Sequence, residues 1–197
     1  MPALERPDEP DLRLRGDRFR PLTYAELTPT QKTLADNVLA GTRGRLNGPY
    51  NVLLRSPEMG DLAQRFGEHA RFKSSIGLRL NEFVILLVAR HWTSQYIWQT
   101  HRANALAAGL DPALIAAVQE DRRPEGMSEV EAAVHDLVVE LQRTKAVGDA
   151  TYGRADAAIG EQGIVDTLAT MAYYQFVSML LNVDLYPLEP GREPELE

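Results

Sequence analysis

The stretch Gly77-Leu78-Arg79-Leu80-Asn81-Glu82-Phe83-Val84-Ile85-Leu86-Leu87-Val88-Ala89-Arg90-His91-Trp92-Thr93-Ser94 decides the fold class. Its apolar run is too long for a typical buried strand and shorter than the roughly 18 apolar residues of a membrane span. A core helix buried nearly all round is the reading that remains. His91-Trp92-Thr93-Ser94 breaks or bends it, and Thr93 or Ser94 caps a further helix that runs to Gly109, placed as a C′ residue.

Working outward, the same helix signals recur. Thr28-Pro29-Thr30-Gln31 supplies an N-cap, a proline at the first helical position and a capping-box glutamine, and Gly41 stops that helix. From Gly41 to Arg55 the chain reads as a loop rich in glycine, without the Gly-Lys-Ser/Thr ending of a phosphate loop. Ser56-Pro57-Glu58 opens a second helix, with Leu62, Phe66 and His69 on a roughly common face. Asp111-Pro112 starts a short helix, Ser128-Glu129-Val130-Glu131 is a capping box, and Asp149 caps the next segment. Val165 to Leu181 is another very apolar helix, containing Tyr173, Tyr174 and Phe176. No period-two alternation and no internal repeat is present. The expectation is an all-α fold: a single-domain helical bundle of seven or eight helices over residues 21–188. An extended N-terminal arm (1–20) and a C-terminal tail (189–197) flank it.

Composition narrows the function classes. The chain has 197 residues, 44% of them hydrophobic, enough for one substantial core. It contains no cysteine, which removes disulfides, thiol catalysis and thiolate–metal sites together. The residues from Met1 to Pro7 lack the apolar core of a signal peptide, so the expected compartment is cytoplasmic. A net charge of −7 argues against a nucleic-acid surface, and no membrane segment is expected. Arg13 to Arg20 is arginine-rich, but Asp8, Glu9, Asp11 and Asp17 dilute it, and a solvated or partner-wrapping arm is the reading.

The anomaly is a set of polar groups in the most apolar region: Glu82, Arg90, Ser94, Tyr96, Trp98 and His101. A buried carboxylate costs several kcal/mol unless it is paired, so Glu82 needs a partner, with His101 or Arg90 the candidates. Ser94 and His101, seven residues apart, share a helix face with Ile97 between them. A carboxylate beside an imidazole is a proton-transfer pair in which one ring nitrogen is oriented and the other faces substrate. The same pair also serves as a purely structural link between two helices, and sequence does not choose between the two. One His and one Glu make a poor ligand set, so no metal is expected. A Ser94–His101–Glu82 triad has suitable residue types, but no strand–turn–helix elbow surrounds the serine.

These residues resemble a known frame. Alkylhydroperoxidase D-like proteins carry Glu, eleven residues, Cys-x-x-Cys, three residues and His. Here the frame reads Glu82, eleven residues, Ser94-Gln95-Tyr96-Ile97, three residues and His101, with both cysteines replaced. A peroxidatic and a resolving thiol are missing, so a thiol peroxidase mechanism cannot operate. The wider pattern runs from Gly48-Pro49-Tyr50-Asn51 through Arg71-Phe72 and Ala89-Arg90-His91-Trp92 to Tyr173-Tyr174 and Leu181-Asn182. It is similar to the longer, cysteine-free carboxymuconolactone decarboxylase-like proteins. In that subgroup Gln-Tyr-Glu-Trp is common where this chain has Gln95-Tyr96-Ile97-Trp98. Ile97 therefore argues against a two-carboxylate mechanism and for a more apolar pocket.

The resemblance implies an all-α domain that assembles as trimers or hexamers, with cavities near subunit contacts and no organic cofactor. It implies a small-molecule substrate, with His101 as general acid or base, Glu82 orienting it, and Tyr96 as a further proton donor. Arg71 or Arg90 would hold a substrate carboxylate, and Ser94, Ile97, Trp98 and Tyr50 would line the pocket. Tyr173 and Tyr174 read as pocket lining or plain core. His69 reads as an ordinary helix histidine, and His91 and His135 as surface groups. The expected function is a lyase-like, cofactor-independent proton transfer on a lactone or carboxylate. The alternatives are a non-catalytic ligand-binding homologue and thiol-independent, metal-assisted peroxide chemistry.

Overall fold

Ten consecutive buried positions, Leu80 to Ala89, fall within one helix of fifteen residues, and the rest of the architecture is arranged around such segments. The computed structural model describes residues 10–197. The first nine residues, including the apolar-poor start and Asp8 and Glu9 of the arm, lie outside the described residues. Eight α-helices account for most of the chain, about 65% is helical, and no strand occurs among the described residues. The fold is all-α.

In chain order the helices are α1 (Pro29–Ala40), α2 (Tyr50–Leu53), α3 (Pro57–Phe72), α4 (Gly77–His91), α5 (Gln95–Ala107), α6 (Pro112–Gln119), α7 (Glu129–Thr144) and α8 (Asp149–Asp184). The caps explain most of the boundaries. Thr28 and Gln31 close a reciprocal capping box on α1, and Ser128 and Glu131 close one on α7. The Asp111 carboxylate accepts from Ala113 N at 2.8 Å to start α6. Gly109, at φ 82°, follows the end of α5 in the left-handed conformation. α4 ends differently: Thr93, a β-branched residue, holds φ 47°, and the Ser94 amide bonds back to Ala89 O at 2.8 Å. The long α8 is broken at Gly160, whose φ of 66° and ψ of 173° no helix accommodates. Its most apolar 18 residues have a mean hydropathy of 1.3, enough by composition for a membrane span, but 56% of that window is buried inside the protein.

Two compact units make up the chain. The first takes the chain up to Arg65 together with Leu180–Pro187; the second comprises Phe66–Met179 and Leu188–Glu197. In the first, α1 buries Leu34, Ala35 and Val38, and α2, which forms inside the segment expected to be a loop, is buried throughout. Gln31 reaches across to Leu54 O at 2.7 Å. The arm residues near Arg18 are extended but not free. The buried Asp184 carboxylate accepts from the amides of Asp17 (3.2 Å) and Phe19 (2.8 Å), and Arg15 donates to Pro187 O.

In the second unit, α4 is the central helix and packs against α5, α6 and α7. Arg79 pairs with the buried Glu131 at the start of α7. Asn81, fully buried, donates to Arg71 O (3.2 Å) and accepts from Thr170 Oγ1 (2.7 Å), joining the end of α3, α4 and α8. The common face of α3 that bears Leu62, Phe66 and His69 is exposed, with Leu62 55% and Phe66 43% accessible, and the small residues Ala63, Gly67 and Ala70 are buried. One expectation reverses. His135 is buried, not a surface group: its ring stacks on Phe83 at 6.3 Å and its Nδ1 bonds Asp136 at 3.0 Å. Burial lowers its pKa further than Asp136 raises it, so the ring is a neutral donor to that carboxylate. His91 is exposed.

The last residues are ordered as well. Gln95 Oε1 accepts from the amides of Glu195 and Leu196, Gln95 Nε2 donates to Leu196 O, and Gln99 Nε2 donates to Glu193 O. Glu195 pairs with Arg102 at 2.5 Å, and Leu196 is buried. The segment lies along α5 as a strap.

A buried candidate proton-transfer site

α4 and α5 are antiparallel neighbours joined by the tight turn at Trp92–Thr93, which sets their facing residues in register. That register brings Glu82, in the middle of α4, to His101, in the middle of α5. Glu82 Oε2 lies 2.6 Å from His101 Nδ1, and the two side chains are only 1% and 4% exposed. A carboxyl group and an imidazole at this distance, cut off from water, share a short hydrogen bond. Nδ1 is committed to Glu82, so an acid–base role for this ring would fall to Nε2.

Aromatic rings from α8 form the wall of this pair. Tyr174 meets the His101 ring edge-on at 4.9 Å, Tyr173 meets Tyr174 at 5.2 Å, and Phe66 meets Tyr173 at 5.8 Å. Gly67 lets the ladder close: a Cβ there would run into the Tyr173 ring. Each edge-on contact favours a fixed ring orientation.

Ser94 heads α5, yet its side chain makes no capping bond, and its buried Oγ has no partner among the described residues. Seven residues at about 100° each return it to nearly the angular position of His101. Ile97, one turn before His101 on that side, is buried and supplies an apolar wall.

The other residues singled out by sequence are distributed elsewhere. Tyr96 is half-buried on α5, but five residues from His101 turn it by about 140°, onto a different face. Trp98 is fully buried, and its Nε1 donates to Glu195 Oε2 at 3.1 Å beneath the strap. Arg90 sits about 12 Å further along α4 than Glu82. It donates to Glu197 O at 2.9 Å and lines a separate cavity. Arg71 closes α3 with its guanidinium 4.9 Å over the Phe72 ring. Tyr50 is buried in the first unit, with the Arg43 guanidinium 5.9 Å from its ring. Among the described residues, no three His, Cys, Asp or Glu side chains converge as metal ligands.

Sequence reasoning did not assign Tyr174 to His101 or foresee the strap. The aromatic pair Tyr173-Tyr174 was visible, but its partner is distant in the chain. Leu196, an isolated apolar residue between two glutamates, was the one signal for a docked tail.

The fold has counterparts among solved structures. An uncharacterised peroxidase-related protein of Ralstonia eutropha, described as an alkylhydroperoxidase AhpD core, superposes with a TM-score of 0.72 over 90% of this chain and 97% of that one, at 13% identity. The fold is alkylhydroperoxidase D-like. The debrominase Bmp8 shares that fold with a TM-score of 0.68 and 12% identity, over 87% of this chain and 92% of its own. An Agrobacterium tumefaciens protein of unknown function, described in terms of AhpD and antioxidant defence, matches at 0.63 and 15% identity, over 73% of this chain and 100% of its own. No protein-family model matches the sequence, and no curated protein matches it. The alkylhydroperoxidase D-like fold thus holds here in a chain without cysteine, with Glu82 and His101 as a buried, hydrogen-bonded pair inside it.

Proposed function

We propose that the chain is a cytoplasmic, thiol-independent enzyme of the carboxymuconolactone decarboxylase type. It moves a proton on a small lactone, carboxylate or enolisable carbonyl compound, with no organic cofactor. The supporting observation is the 2.6 Å Glu82–His101 contact inside an apolar, aromatic-walled site. His101 is the acid or base, Glu82 orients it, and the buried, unpartnered Ser94 Oγ is the group placed to bond a substrate oxygen. Fold neighbours include an enzyme, the debrominase, which has also been captured as a cysteine-to-alanine variant with 2,3,4-tribromopyrrole. This chain has no cysteine, so its chemistry runs on the remaining acid–base pair.

The test is a panel of lactones, β-keto acids and enolisable carbonyls incubated in D2O and followed by NMR for deuterium incorporation or CO2 loss. Turnover of a panel member that falls by about 10²–10⁴-fold in His101→Asn supports the reading, as expected for loss of a general acid–base. Turnover that survives this substitution contradicts it. A second reading, a ligand-binding homologue without chemistry, is favoured by the buried Ile97 in place of a second carboxylate. Saturable binding of a panel member without conversion would select it.

Assembly into trimers or hexamers belongs to the same proposal. Met59, Leu62 and Phe66 form an exposed apolar stripe on α3, the kind of surface that a subunit contact covers. Light scattering is expected to give a mass several times 22.0 kDa, reduced in Leu62→Glu/Phe66→Glu. A monomeric wild-type chain would overturn it.

A further inference from the structure

A cavity lies in the unit that carries the Glu82–His101 pair, bordered by the end of α4, the α6–α7 connection, α7 and the start of α8. Its volume is about 430 Å³, within the range of small-molecule sites. Neither Glu82 nor His101 lines it. Five arginines and three carboxylates line it; Arg122 pairs with Glu120 at 2.6 Å and Arg90 donates to Glu197 O at 2.9 Å, both acceptors lying outside the lining.

The carboxylates are already engaged. Asp136 accepts from Arg123 (3.2 Å), Arg154 (3.2 Å) and His135 (3.0 Å). Glu140 accepts from Gly148 N at 2.7 Å. Asp121 has Arg143 at 3.8 Å, an exposed and loose pairing. Two donors on the same lining have no acceptor: Arg90 Nε, and Nε2 of Gln142, a residue only 7% exposed. A buried donor without an acceptor is destabilising, and such groups in native proteins call for a partner. The unpartnered polar groups on the residues of this lining are both donors, one cationic and one a neutral amide.

We infer that this cavity is a binding site for a compact oxyanion, a carboxylate or a phosphate, held by Arg90, Gln142 and Arg143. An anion with two or more acceptor oxygens satisfies both unpartnered donors and gives Arg143 a closer counter-charge than Asp121. The site stands independently of the chemistry proposed for His101.

Isothermal titration of the full chain with inorganic phosphate and, separately, with succinate tests this. Saturable binding of either anion at one per chain is expected, about tenfold weaker in Gln142→Leu and in Arg143→Gln, and weaker at high ionic strength. Phosphate-selective binding identifies a phosphorylated ligand, and succinate-selective binding a carboxylate. Arg143 is largely exposed, so Arg143→Gln keeps the fold even if Gln142→Leu does not. Failure of both anions to saturate by about 10 mM, or equal affinity in wild type and Arg143→Gln, overturns the inference.

Discussion

Tyr173 packs against Gly67 so closely that α3 has no room there for a methyl group. Two opposing effects meet at this position. Alanine in a helix interior is ordinarily better than glycine by roughly 0.5–1 kcal/mol, whereas overpacking costs about 1–3 kcal/mol. Gly67→Ala is therefore expected to destabilise by about 1–2 kcal/mol in urea denaturation. Gly67→Ala combined with Tyr173→Leu recovers most of that loss relative to Tyr173→Leu alone, since the shorter side chain withdraws the ring. Strict additivity in this double-mutant cycle would show that the contact does not limit α3.

His135 gives the stability a defined pH dependence. Burial, and to a lesser degree the nearby Arg123 and Arg143 charges, hold its pKa below the ordinary 6.5, against the pull of Asp136. Below about pH 6.5 the unfolded chain takes up a proton that the folded protein refuses, so stability falls as pH drops from there towards the folded value. Asp136 acts in a separate window. Burial would raise its pKa, but bonds from Arg123 and His135 outweigh it and leave it below 3.8. Its contribution is complete above that value and is lost only at more acidic pH. His135→Gln is expected to flatten the stability profile just below pH 6.5, measured as urea midpoints. An unchanged slope would show that His135 is not responsible.

The strap over α5 is also testable. Trp98 is fully covered and bonded to Glu195, which Arg102 holds in turn. Removal of Glu193–Glu197 is expected to expose the indole, red-shifting its emission and lowering stability by about 1–3 kcal/mol through lost burial and bonds. Glu195→Gln is expected to give a smaller loss in the same direction. Unshifted emission after truncation would mean that the strap does not shield Trp98.

These particulars show what the sequence makes legible. Capping boxes at Thr28 and Ser128, the Asp111 cap and Gly109 are local signals, and each marks a real helix boundary. The unbroken apolar run of α4 is equally local, and the all-α class follows from it. The direction of α3 was not legible, because a face of small residues buries itself only if a partner ring comes close, and Tyr173 is more than a hundred residues away. His135 carries a polar label while its neighbour Phe83 and its bond to Asp136 decide its burial. In the site, Glu82 and His101 were legible as a frame, since a fixed spacing across one tight turn sets two helices face to face. Arg90 and Tyr96 were placed in that frame by nearness in sequence, and helical periodicity turns them elsewhere.

The proposed chemistry requires Glu82 to hold the imidazole proton on Nδ1, so that Nε2 is the nitrogen that exchanges protons with a ligand. Long-range ¹H–¹⁵N NMR of histidine-labelled protein reads this directly. The predicted result is a His101 Nδ1 that carries a proton, shifted far downfield by the 2.6 Å contact, with that signal lost in Glu82→Gln. A His101 ring protonated on Nε2 alone, with a bare Nδ1 accepting from a protonated Glu82, would contradict it.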